Sequence, residues 1–148
     1  MERQVQSPAL IMRVVKYAFV VSGFLFVYIA FKVLAPPTHP TSQTIEFASA
    51  FMGLSCIMGG FFLPGILFRG VESRSQNATA DARLQRWMAK GIMSLAYFEA
   101  SILLGFALRV LGGRTIFVGL LMGAGIAAEL VWSPGTPPGA EGREFPQI

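Results

Sequence analysis

Glu99 is the side chain in this sequence with the clearest capacity for chemistry. Residues 91–111 are apolar apart from Glu99, Arg109 and a few hydroxyls, a run long enough for a membrane-crossing helix. At about 1.5 Å per residue, Glu99 lies roughly 12 Å in from Gly91, near the middle of a ~30 Å hydrocarbon layer. An ionisable group at that depth costs about 2.5–3.5 kcal/mol on insertion scales, so it faces protein or water. Two chemistries fit it. One is a neutral carboxyl that joins helices by hydrogen bonds to Ser55, Ser101, Tyr97 or a carbonyl. The other is a titrating group that binds a proton or another ion, with Ser101 beside it.

The remaining candidates carry less. Glu46 reads as a helix-end charge in the first turn of the second span, where the helix dipole favours an anion. Glu129 falls within one turn of Trp132 and is expected to reach an interface. The single Cys56 excludes an intrachain disulfide, and the lone His39 excludes a histidine-rich metal site. A Cys–His pair would need Cys56 in mid-membrane to meet His39 in an outer loop. No phosphate-binding loop, metal-ligand spacing or catalytic triad is present. The sequence predicts no enzyme, no metal and no cofactor.

The elements that must position Glu99 follow from composition. The chain is 53% hydrophobic and 14% charged, with a mean hydropathy of +0.57, against roughly 25% charged residues in a soluble domain. This predicts an all-α integral membrane bundle. Four transmembrane helices are expected at about 14–34, 47–68, 91–111 and 115–132, in one domain over 1–132, with a disordered Pro/Gly-rich tail over 133–148. Lys16 and Lys32 frame the first span and can snorkel to opposite interfaces; no A-x-A site follows, so the span is a retained anchor. Three prolines within 36–40 bar a helix, and Thr44 is the expected N-cap of the second span. Pro64-Gly65 is expected to kink that span near its end. The polar link that follows reads as loop over 72–79, then as an amphipathic helix from about Asp81 with Trp87 at the interface. A glycosylation sequon, Asn77-Ala78-Thr79, falls in this link, on the side of the membrane where it would not be used.

Small residues predict where helices approach closely. They are Ser49, Gly53, Cys56 and Gly60 on the second span, and Gly119, Gly123 and Ala127 on the fourth. The third span has two such sides: Gly91, Ser94, Ser101, Gly105 and Gly112 on one, and Ala96, Ala100 and Ala107 on another. Neighbours on both sides would place Glu99 at a helix interface. Orientation comes from the basic residues. Arg3, Arg13, Lys16, Arg69, Arg74, Arg83, Arg86, Lys90 and Arg143 would share one side, and Lys32, Arg109 and Arg114 the other. That asymmetry predicts cytoplasmic N- and C-termini in the plasma (inner) membrane.

The run AYFEASILLGF over 96–106 resembles the second helix of ATP synthase subunit c, the rotor-ring proteolipid, which typically reads A-L-x-E-A-x-A-I-x-G-L. The resemblance extends over about 47–111, taking in the Gly-containing second span and the Arg-containing link. It implies that Glu99 stands where that family's proton- or sodium-binding carboxylate stands, and Gly105 where its packing glycine stands. The chain departs from that family in lacking its G-x-G-x-G run and its R-Q-P loop, and in carrying a further helix on each side.

Function is therefore expected in one of two forms. The first is a non-enzymatic membrane protein, an accessory subunit embedded in lipid and associated with other membrane chains or with itself. The second is a proteolipid-like ion carrier that uses Glu99. Nucleic acid is not an expected partner, because the basic residues cluster beside apolar spans.

Overall fold

The structure is a computed structural model that describes residues 7–35, 38–74 and 79–138, with side chains described except over 70–74. Asn77 of the sequon, Arg3, the Arg74 side chain, Arg143 and the tail from 139 onward lie outside the described residues. Among those described there are four α-helices and no strand. They are α1 (Pro8–Tyr28), which ends in a π-helical turn (Ile29–Val33), α2 (Gln43–Arg74), α3 (Ala80–Val110) and α4 (Thr115–Val131).

Local sequence accounts for most helix ends. Ser7 caps α1 by accepting from Leu10 N at 3.3 Å, with Pro8 in the first turn where its missing N–H costs nothing. Ser42, and not Thr44, caps α2: its Oγ accepts from Ile45 N at 3.4 Å, so the helix begins earlier than expected. Thr79 caps α3 in the same way, through Ala82 N at 3.4 Å, with Asp81 in the first turn. Gly112 takes φ 89°, and Gly113 N closes onto Leu108 O at 2.8 Å, which reverses the chain into α4. Helix α2 continues through Pro64 and on to Arg74. Residues 72–74, expected in the loop, are therefore helical, because each residue added to an existing helix gains a backbone bond that polar composition alone does not forfeit.

Three helical stretches are long and apolar enough to cross a membrane: Pro8–Val33, Gln43–Arg69 and Ala80–Val110. They mark a membrane protein. Helix α4 is the most apolar element but has only 17 residues.

The α3–α4 hairpin is the centre of the bundle. Both α1 and α2 pack against it, and among the described residues their backbones do not approach one another. Successive helices run in opposite directions. At one end Lys16 of α1 meets Leu130 and Trp132 at the close of α4; at the other Arg109 meets Ala30, and Arg114 meets Glu46. Lipid tails are as apolar as leucine, so close packing and not water exclusion must hold such helices together. Gly125 provides the closest approach in the hairpin. A Cβ there would fall 3.0 Å from the Phe98 carbonyl oxygen and 2.5 Å from Ile102 Cγ1. Gly105 lies against Leu121 and Met122 of α4, Gly53 against Ser101 and Leu121, and Gly60 against the Phe98 ring, while Ser49 is half-buried. Gly119 and Gly123 differ: they are exposed, and a Cβ at either would meet no neighbouring helix within 4 Å among the described residues. Their stripe faces away from the hairpin. Gly91, Ser94, Ser101 and Gly105 of α3, and Gly112 just beyond it, are all buried, whereas Ala96 and Ala107 are exposed.

Candidate functional site

Leu95, Phe98 and Ile102 form the fully buried face of α3, and Glu99 stands at its border, half-buried. Its partner comes from α1. Ser22 Oγ donates to Glu99 Oε1 at 2.7 Å. Ser22 reaches that far because Gly23 follows it: a Cβ on Gly23 would lie 2.9 Å from Ile102 Cδ1 and 3.0 Å from Ile126 Cγ1, so α1 sits directly in the groove between α3 and α4.

The partners expected from sequence are engaged elsewhere. Ser55 Oγ donates to Phe51 O at 2.8 Å, within its own helix. Ser101 is fully buried and donates to Leu121 O of α4 at 3.2 Å. Two residues beyond Glu99 is about 200° around a helix, so Ser101 serves α4 and is not part of the carboxyl's surroundings. Tyr97 lies against Gly59 of α2.

Glu129 is the residue that sequence reasoning misplaced. It is completely buried and does not reach an interface. Met122, Gly125, Ile126 and Glu129 recur at i, i+3, i+4 and i+7 and are all buried, which gives α4 one face toward α3. Gly125 brings the two backbones together, and Glu129, one turn further, is carried to the level of Phe98 and Glu99. Its carboxyl lies beside that of Glu99. The available signal was that spacing from Gly125. The more visible Gly119–Gly123–Ala127 stripe lies roughly 80–160° away around the helix and pointed to the wrong face.

Both oxygens of Glu129 and Oε2 of Glu99 are buried without a hydrogen-bond donor. An ionised carboxyl only accepts, whereas a protonated one also donates. Leaving a buried acceptor unmet costs about 1–3 kcal/mol, and more when it is charged. Phe98 and Ala128, which precede Glu99 and Glu129 in sequence, belong to one buried apolar cluster with Leu95 and Met12, and the Trp132 ring stands edge-on to Phe98 at 6.5 Å between centroids.

The pair is not symmetrically placed between the ends of the bundle. Glu129 is two residues from the end of α4, where Lys16 Nζ donates to Leu130 O at 2.9 Å and Trp132 O at 2.6 Å. A cation at a helix C-terminus meets the negative end of its dipole. Toward the opposite end, Ile102, Leu121, Met122 and Ile126 close the interior, followed by Leu108, Val118 and an edge-on Phe26–Phe106 pair. Glu46 sits beyond that plug. It is buried and accepts from both Arg114 N and Arg114 Nε at 2.6 Å, so it anchors the start of α4 as well as lying in the first turn of α2. Among the described residues no group of three or more His, Cys, Asp or Glu side chains could hold a metal ion.

Comparison with known protein families, curated proteins and solved structures returns no match for this chain.

Proposed function

We propose that this chain is a non-enzymatic, multi-pass membrane protein in which Glu99 and Glu129 bind and exchange a proton. The observation that carries the reading is the pair of apposed carboxyls, three of whose four oxygens lack a donor. The Ser22 hydroxyl supports the Glu99 carboxylate when the proton leaves, and its bond to Oε1 fixes the carboxyl's orientation. A proton is the species best suited to the site, because hard divalent cations take six or more oxygens and this cluster offers two carboxyls and one hydroxyl. Exchange runs toward the Lys16 end, one helical turn from Glu129, since the other direction is filled by apolar side chains. The resemblance of 96–106 to the rotor-ring proteolipids belongs to the same reading, with Glu99 as the carrier and Glu129 as an addition of this chain.

In this reading the chain crosses the membrane four times, with both termini on the cytoplasmic side. Helix α4, about 26 Å long at 1.5 Å per residue, is at the lower limit for a span. Purified protein in vesicles with an entrapped pH-sensitive dye and an imposed membrane potential tests the proposal. Wild-type protein should carry protons faster than empty vesicles, and Glu99→Gln or Glu129→Gln should reduce the flux at least tenfold. Flux unchanged in both variants sinks the proposal.

A second reading, an accessory subunit beside other membrane chains, is favoured by one feature. Gly119 and Gly123 give α4 a narrow outer face that none of the other described residues covers. An absence of flux from the wild-type chain alone would favour it.

A further inference from the structure

The chain leaves α4 as a strap laid across the bundle. Helix α4 ends at Val131, Trp132 is extended, and Gly135 takes φ 70°. Two neighbouring helices hold this stretch by its backbone. Lys16 Nζ of α1 donates to Trp132 O at 2.6 Å, and Trp87 Nε1 of α3 donates to Pro134 O at 2.8 Å.

Trp132 is the side chain that the strap sets in place. Its ring stands edge-on to Phe98, the residue before Glu99, and its Cη2 would lie 3.3 Å from a Cβ on Gly91. Gly91 is two turns from Phe98, toward the Lys16 end, so the indole bridges the interval between the carboxyl pair and that end. Met12 of α1 completes the cover: it is fully buried, and a Cβ on Gly91 would collide with its methyl group. The missing side chain at Gly91 thus lets both Met12 and Trp132 lie directly on α3. Ala128 is buried in the same cluster, and Glu129 is completely buried with both oxygens unmatched. Water is therefore kept from the one acid that lies a single turn from the end of α4.

The strap itself is lightly held. Ser133, Gly135 and Thr136 are exposed, and a Cβ on Gly135 would meet nothing within 4 Å among the described residues. Segments with few buried contacts are the ones that open locally while the rest of a fold stays intact.

We propose that residues 132–134 form a latch. With the Trp87 and Lys16 bonds made, the Trp132 ring shuts the route between Glu129 and the Lys16 end; when the strap lifts, the route opens. The role of this latch rests on the proton reading of the pair, for which it is the gate.

Thiol accessibility tests the latch without reference to protons. The reporter is Ala128→Cys in a Cys56→Ala background, in the full chain in detergent, reacted with an anionic water-soluble methanethiosulfonate. Glu129→Cys provides a second reporter at the pair itself. Trp87→Phe keeps a ring and removes the N–H donor, and it should raise the modification rate at each reporter about fivefold, the factor that one net hydrogen bond is worth. Lys16→Met should raise it at least as much. Val131→Ala, at a side chain that is 79% exposed, should leave it unchanged. Rates unaltered by Trp87→Phe and Lys16→Met, or raised equally by Val131→Ala, overturn the latch. Raised rates in a chain that carries no proton flux support the latch and sink the proton reading; normal flux with unaltered rates overturns the latch alone.

Discussion

At the residue scale, the carboxyl pair sets expectations that differ for each acid. Dicyclohexylcarbodiimide, which attacks protonated carboxyls in apolar surroundings, should add once per chain, at Glu99 or Glu129, and the Glu99→Gln/Glu129→Gln double variant should take up none. Glu46, held by two bonds from Arg114, should remain unlabelled; an adduct confined to Glu46, mapped by peptide mass, would contradict the protonated pair. The groove that seats α1 allows a second test. Ser22→Ala removes one interhelical hydrogen bond, which in membranes averages about 0.6 kcal/mol. Gly23→Leu overfills the contact with Ile102 and Ile126 and should cost about 1–3 kcal/mol, so the glycine variant should show the larger drop in thermal midpoint in detergent. Glu99 was legible in the sequence because depth alone makes a mid-span acid conspicuous. Glu129 was not, because its closeness to Trp132 along the chain suggested an interface. Only the packing of Gly125 against Phe98 reveals that this turn of α4 points inward. Ser22 was hidden for a related reason: an ordinary serine in an apolar span gives no sign of which helix its hydroxyl serves.

At the element scale, α4 depends on its neighbours. It is short, its end is capped by Lys16 and its start by Glu46. Lys16→Met leaves the carbonyls of Leu130 and Trp132 without their donor and should cost about 1–2 kcal/mol, read as faster amide exchange over the last turn of α4. The two faces of α4 should respond oppositely to bulk. Gly125→Leu drives a side chain into the Phe98 carbonyl and should prevent the hairpin from closing, whereas Gly123→Leu enters open space and should change monomer stability by less than about 0.5 kcal/mol. If the outer stripe meets another chain, Gly123→Leu should instead abolish crosslinking to it. The existence and order of the helices could be read from hydropathy, since long apolar runs between Pro- and Gly-rich connectors leave little choice. Their ends were less legible. Ser42 and Thr44 are equally good caps by type, and the backbone bonds from Ile45 and Glu46 to the Ser42 carbonyl decide between them. The π-helical turn after Tyr28 has no marker in the sequence; there the Ala30 carbonyl accepts from Arg109 Nε at 3.0 Å.

At the scale of the whole molecule, the basic residues and the packing bear separately on how many times the chain crosses the bilayer. Of the three cations expected on the outer side, Arg114 pairs with Glu46, Arg109 donates to the Ala30 carbonyl, and Lys32 is exposed. Helix α4 is the short one, 17 residues against a ~30 Å core. Its closing turn nevertheless lies against Lys16 and Met12, near the start of α1, and Trp132 reaches Gly91, where the apolar part of α3 begins. Both contacts carry the end of α4 across to the side from which α1 and α3 start. Single cysteines in a Cys56→Ala background test this with an impermeant maleimide on intact cells. Thr38→Cys, in the first connector, should label from outside. Gln85→Cys, on the exposed face of α3, should label only after the membrane is opened, and so should Ser133→Cys just beyond α4. Labelling of Gln85→Cys in intact cells would reverse the orientation. Labelling of Ser133→Cys together with Thr38→Cys, and not with Gln85→Cys, would mean that only the three long helices span and that the Glu129 end of α4 lies on the outer side, which would cut off the proton route proposed from the cytoplasm.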